Sequence, residues 1–272
     1  MKIKDTKYAV LSYTSERPRG WGTGNIGDDI QSLAAIHMLN KNGVHDHTFV
    51  EREDLKDYRG PPTRLIMNGW FMHDVNQFPP SQQITPLFIG FHCAKESLIE
   101  RNVEYFKKHE PIGCRDTHTE NIFKKNGIES YFSGCLTLGF DEAKEKGKET
   151  YVVDSSKFDT SEYENVKHIS HKISRTSLHD RFKKANEKLI FYRKAKLVIT
   201  SRLHCLLPCR AFGTKAIFVH KNYNSDPRFK GLEKYINGVK NLSKDAPQTV
   251  DRELIDGAKE DLNFNLRKLI YK

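Results

Sequence analysis

Arg202 and His204 stand two residues apart, directly after the apolar run Lys196-Leu-Val-Ile-Thr200 and just ahead of Cys205-Leu-Leu207. The pattern reads as a buried strand, a Ser201 cap and a helix whose first turn presents both side chains. That places them at the carboxyl end of a strand, where open α/β sheets bind ligands. Such a turn is an anion site with a proton donor. Its free N–H groups and positive dipole end attract the anion, the guanidinium offers a planar fork for carboxylate or phosphate, and the imidazole titrates near neutral pH. The dipole alone would lower the pKa of His204, whereas a bound trianion would raise it and keep the ring charged as a general acid. A packed helix with a surface arginine and a hydrogen-bonded histidine fits the spacing equally well.

A second segment, Pro111-Ile-Gly-Cys-Arg115-Asp116-Thr-His-Thr119, repeats the order of strand, arginine and capped helix start, with Asp116 or Thr117 as the cap. Two arginines so placed in opposite domains would converge on one small polyanion; the bland alternative is an Arg115/Asp116 pair that only ties strand to helix. A third, Arg17-Pro-Arg-Gly-Trp21-Gly22-Thr-Gly24-Asn25-Ile-Gly27-Asp28-Asp29, holds a loose match to the dinucleotide glycine pattern. Its aspartates would face the pyrophosphate, so a surface turn with Asn25 or Asp28 as helix cap competes with that reading, and for Asp29 the turn is preferred. Asn68-Gly69-Trp70 follows the apolar run Leu65 to Met67, its glycine suggesting a close backbone approach. Trp21 and Trp70 suit sugar stacking or a core role. Cys205 and Cys209 lack a second ligand pair, and His45/His47 and His168/His171 read as surface pairs, so no metal is assigned.

The elements that would position these residues follow a βαβ rhythm. Strands are expected at Tyr8 to Ser12, Thr48 to Val50, Leu65 to Met67 and Leu87 to Phe91, and helices at about Asp28 to Leu39, Lys95 to Lys108 and Thr117 to Asn126. The charged stretch 141–150 reads as a linker between an N-terminal domain at 1–140 and a C-terminal domain at 151–272. Beyond it the rhythm restarts with strands at 151–154, 166–169, 196–200 and 215–219 and helices at about Ser177 to Ala195 and Arg202 to Phe212. Pro208 should kink or shorten the second of these. A final helix near Asp251 to Leu269 is free to pack back on the first domain. The expected fold is therefore α/β, with two doubly wound Rossmann-like domains facing across a cleft.

Composition narrows the class. Among 272 residues, 37% are hydrophobic and 29% charged, which suits a soluble folded chain, and no apolar run approaches the roughly 18 residues of a membrane helix. The five scattered cysteines suggest reduced core thiols and a cytoplasmic location. A net charge of +10 attracts anions, yet the basic runs, Arg181 to Lys184 among them, read as solvated helix faces. No stripe of basic and aromatic residues favours nucleic acid.

Taken in order, Asn25-Ile-Gly-Asp28-Asp, the strand ending Asn68-Gly69, Cys114-Arg115-Asp116 with Thr119, and Thr200-Ser-Arg-Leu-His204 followed by Ala211-x-Gly213 resemble the polysaccharide pyruvyl transferases. The resemblance spans about residues 8 to 236, with Arg-Leu-His its most specific element. It implies a GT-B-like fold holding phosphoenolpyruvate between the domains, and transfer of the enolpyruvyl unit to two hydroxyls of a saccharide as a ketal. By position, Arg115 and Arg202 would grip the donor and His204 would be the acid. Leu203, Ser201, Asn25, Asp28, Asn68 and Gly69 would complete the substrate-binding walls. No cofactor is implied; the partners are the donor and a saccharide acceptor, lipid-linked or free, with no nucleic acid and with peripheral membrane contact left open. Asn68-Gly69 stands where relatives commonly have Gly-Gly, and Ser133-Gly134-Cys135 where many carry Asp. A nucleotide-sugar glycosyltransferase and a polyanion-binding module are the competing readings.

Overall fold

The computed structural model describes residues 7–14, 23–72, 74–155, 159–174, 176–243 and 245–272. Arg17 to Gly22, with Trp21, lie outside the described residues. In the first half the elements are β1 (Lys7–Ser12), β2 (Thr23–Asn25), α1 (Ile26–Lys41), β3 (His47–Glu51), β4 (Thr63–Ile66), β5 (Gly69–Trp70) and β6 (Ile84–Leu87). Then come β7 (Phe91–His92), α2 (Glu96–Glu100), α3 (Val103–Lys107), β8 (Ile112–Cys114), α4 (Thr117–Lys125) and β9 (Ser130–Phe132). The second half holds β10 (Thr150–Val153), β11 (Val166–Ile169), β12 (Lys172–Ser174), α5 (Leu178–Lys194), β13 (Leu197–Thr200), α6 (Leu203–Phe212), β14 (Ala216–Phe218), α7 (Glu233–Ile236) and α8 (Arg252–Tyr271).

The fold is mixed α/β with parallel sheets. β3, β1, β4 and β6 form one sheet and β5, β7, β8 and β9 another. β4 leads into β5 and β6 into β7 after two or three residues, and the hydrogen bonds Met67 N–H to Leu87 O and Gly113 N–H to Phe88 O bridge the gaps. The second half repeats this order as β11, β10, β13, β14. In both halves the chain reverses direction across the sheet beside the first strand, between β1 and β4 and between β10 and β13, which is the crevice position for ligands in such sheets. Tyr8 to Leu11 and Thr150 to Val153 are buried throughout, as strands covered on both faces require.

Two expected elements break for local reasons. The strand read at Leu87 to Phe91 is interrupted at Gly90, whose φ of 70° no extended strand tolerates. The helix read at Lys95 to Lys108 divides at Asn102, whose side-chain amide donates to Leu98 O at 2.7 Å and so competes with the helical ladder. Residues 141–149 have no regular structure, but Ala143 N–H bonds Phe212 O and Lys146 bonds Phe212 O and Thr214 Oγ1, so the stretch is docked.

The largest apolar cluster draws on both halves, joining Ile30, Ala34 and Met38 of α1 to Ala185 and Leu189 of α5, Leu206 and Leu207 of α6, and Leu262 and Leu266 of α8. Smaller clusters lie under β4, β7 and β8 and under β10, β13 and β14. The halves are also stitched by polar links. β2 pairs antiparallel with β12, and Ile26 N–H donates to His171 O at 2.8 Å. α8 returns to the first half, where Tyr8 and Arg64 bond its carbonyls at Leu269 and Ile270.

Candidate active site

At the reversal point of the second sheet, Asp154 follows β10, and Ser201 and Arg202 follow Thr200, the last residue of β13. Asp154 accepts from Arg202 Nε at 2.8 Å, Ser170 Oγ at 2.5 Å and the His171 N–H at 3.1 Å. Burial works to raise its pKa, but these bonds outweigh it and hold the carboxyl below its ordinary value. Arg202 is 37% exposed, and Asp154 engages only its Nε. Ser201 is not the cap: Arg202 occupies that position, its N–H bonded to Thr200 Oγ1 at 2.9 Å, while Ser201 Oγ donates to Asp154 O. No side chain caps α6, so its N-terminal end is open to an anion.

His204 is the one residue of α6 with non-helical backbone, φ −81° and ψ 15°. The reason stands four residues on: Pro208 cannot donate to the His204 carbonyl and its ring presses against that group. The expected kink therefore falls on the candidate acid. Its Nε2 is buried without a partner. Burial, then the charges of Arg115, His171, Arg228 and His92, push its pKa well below the ordinary value, so the ring is neutral in the free protein at pH 7.

Arg115 follows β8, its N–H fixed to Phe91 O at 2.8 Å. The residue is 2% exposed, and among the described residues its Nε has no hydrogen-bond partner and its nearest carboxylate, Asp116, stands 3.9 Å away. Burial opposes its charge, which a guanidinium nonetheless keeps. Asp116 caps α4 through the Thr119 N–H at 2.8 Å and takes His92 Nδ1 at 2.5 Å. His92 Nε2 is left buried and unpartnered, and burial with the Arg115 charge lowers the ring's pKa to about 4. Arg228, clamped by Asp226, adds its charge from the loop whose Lys230 O accepts the Thr117 N–H.

The first half closes the site with the start of α1. Asn25 is the cap, accepting the Gly27 N–H at 3.0 Å. A Cβ at Gly27 would sit 3.3 Å from His204 Cβ, so the helix starts of α1 and α6 meet there. Asp28 is half-buried; burial raises its pKa against Arg52, Arg181, Arg115 and His171. Asn68 faces inward to scaffold, donating to Gln31 O while Leu136 N–H approaches its Oδ1. Gly69 is required because a Cβ would meet Leu11 at 2.9 Å and Tyr13 Oη at 3.1 Å. Leu203 is half-buried against the core.

The structure thus brings Arg115, His204, Asn25 and Asp28 together, sets Arg202 on Asp154 at the start of α6, and assigns Ser201 and Asn68 hydrogen bonds to the scaffold. It adds Asp154, His92, Arg228 and His171, which the sequence reading missed. His171 is buried, with Nε2 2.7 Å from Tyr192 Oη, not at the surface as its pairing with His168 suggested. Arg181, read as solvated, is buried with Nε and Nη2 on Asp29 at 2.9 and 2.8 Å.

The family model for polysaccharide pyruvyl transferases matches residues 25–220. No curated protein matches the chain. Among solved structures, a crystal structure of a functional uncharacterized protein from Klebsiella pneumoniae subsp. pneumoniae NTUH-K2044 is similar at a TM-score of 0.51 and 15% identity, covering 86% of this chain and 93% of that one. At that identity the likeness speaks for the fold alone. No helix among the described residues is long and apolar enough to cross a membrane.

Proposed function

Because this chain belongs to the polysaccharide pyruvyl transferase family, we propose that it transfers the enolpyruvyl unit of phosphoenolpyruvate to two hydroxyls of one sugar. The observation that carries the donor is Arg115: a buried guanidinium with no hydrogen-bonded carboxylate among the described residues, beside the charge of Arg228 and two neutral imidazoles with unpartnered Nε2 atoms. A cationic group so placed is costly unless an anion joins it. A donor with both phosphate and carboxylate suits a site with Arg115 on one side and Arg202 with the open α6 end on the other.

In this reading the bound polyanion raises His204 into its charged form, and the ring then gives its proton to the methylene carbon, making the second carbon electrophilic. One hydroxyl oxygen bonds that carbon. The carbon–oxygen bond to phosphate breaks, and the second hydroxyl oxygen closes the ketal. Of the two hydroxyl protons, one replaces the proton given by His204 and the other leaves with phosphate. The proposal extends to architecture and place: segments 1–140 and 151–272 act as two Rossmann-like domains in a GT-B-like pair, joined by 141–150, with the reaction in the cytoplasm where the donor is made. The scheme calls for no metal or redox cofactor, and the acceptor is a polysaccharide unit or its lipid-linked precursor.

The test is incubation with phosphoenolpyruvate and a panel of glycans, following phosphate release and the ketal methyl signal together. One phosphate per ketal is expected, with nucleotide sugars inert as donors; transfer from a nucleotide sugar without phosphoenolpyruvate would replace this reading with glycosyl transfer.

A further inference from the structure

A second group of buried polar atoms lies beside Asp28, at the reversal point of the first sheet, and the scheme above does not use it. Tyr13 Oη after β1, Glu51 Oε1 at the end of β3 and Gln31 Oε1 in α1 are each buried with no hydrogen-bond partner among the described residues. Tyr13 is 9% exposed and Gln31 fully buried. Each orphan belongs to a side chain held firmly by other bonds or contacts. Glu51 Oε2 accepts Thr14 N–H at 2.7 Å, Thr14 Oγ1 at 2.9 Å and Ser12 Oγ at 3.1 Å. Gln31 Nε2 donates to Asp28 Oδ1 at 3.3 Å. The Tyr13 ring lies under the Arg52 guanidinium, 4.8 Å from its centroid, and Arg52 Nη1 is anchored on Trp70 O at 3.0 Å.

Leaving a buried acceptor unpaired costs about 1–3 kcal/mol, and three in one neighbourhood mark a surface built for a ligand rather than for stability. The chemistry selects that ligand. Two of the orphans only accept, the third donates or accepts, and the charges of Glu51 and Asp28 repel anions. A neutral polyol, with several O–H donors on adjacent carbons, satisfies all three. Asp28 connects the two regions electrostatically, since it influences Tyr13 on one side and Arg115 on the other.

Resting on the transferase reading, we infer that Tyr13, Gln31 and Glu51 form the subsite that holds the hydroxyls of the acceptor sugar beside Asp28. The test is Tyr13→Phe, which removes only the unpartnered oxygen. Saturation-transfer NMR with galactose, glucose, mannose and N-acetylglucosamine needs no donor, and calorimetric titration with phosphoenolpyruvate reads the other half alone. The variant should lose sugar affinity about tenfold, melt at the same or a higher temperature, and bind phosphoenolpyruvate as before. Gln31→Met should weaken sugar binding in the same direction. Equal sugar signals in wild type and Tyr13→Phe, or none in wild type, overturn the subsite. Loss of sugar affinity in a protein that does not bind phosphoenolpyruvate keeps the subsite and overturns the donor.

Discussion

Arg181 and Arg115 are buried to the same degree, 3% and 2% exposed, yet their surroundings are opposite. Arg181 crosses from α5 to α1 and meets Asp29 through two hydrogen bonds. Among the described residues Arg115 has no carboxylate within hydrogen-bond reach, and its Nε goes unpaired. Arg210, equally buried, resembles the first case, since its guanidinium is satisfied by the carbonyls of Tyr235, Ile236 and Gln248. Burial of a charge therefore does not distinguish these arginines. The missing partner does.

Removing each guanidinium in turn should separate the two cases most clearly. Arg181→Met should destabilise the fold by about 3–5 kcal/mol, because Asp29 is left buried without its counter-charge. Chemical denaturation measures this, and adding Asp29→Leu to the variant should recover most of the loss. Arg115→Met should instead melt at or above the wild-type temperature while phosphate release from phosphoenolpyruvate falls roughly 10²- to 10³-fold. Equal destabilisation by both variants would show Arg115 to be structural. A smaller effect, roughly 10²-fold on turnover with donor binding retained, is expected for His204→Asn, whose pH profile should also lose its basic limb.

The buried imidazoles should also make stability depend on pH. An imidazole held below its ordinary pKa takes up its proton first in the unfolded chain, so stability is complete above about pH 6.5 and drains as pH falls toward about 4, where folded His92 titrates. His204→Asn should flatten that slope in melting curves taken between pH 7 and 5. Saturating donor should flatten it too, by charging His204 in the folded state.

The arginines and His204 were legible in the sequence because each follows a buried strand and opens a helix, a grammar carried by adjacent residues. Residues whose role depends on distant partners were not. His171 read as one of a surface pair, since nothing near it in sequence announces Tyr192 on α5 or the Asp154 carboxylate that takes its N–H. Asp154 is a single polar residue after an apolar run, and His92 acquires its orientation from Asp116, 24 positions away. The βαβ rhythm and parallel sheets were readable from apolar runs; the core shared between halves was not, because periodicity shows that a helix face is buried without showing against what. Pro208 was legible as a helix disturbance. That its effect falls on His204 follows only from the four-residue reach of a proline ring.

The α1 seam has a kinetic consequence. Swinging the two halves apart would unzip the β2–β12 ribbon and strip Asp29 from Arg181, so the protein is not free to admit a ligand by wide hinge opening. Association should then be governed by the encounter itself. With a net charge of +10, the on-rate for a small trianion should be fast at low ionic strength and slow steeply as salt screens the field.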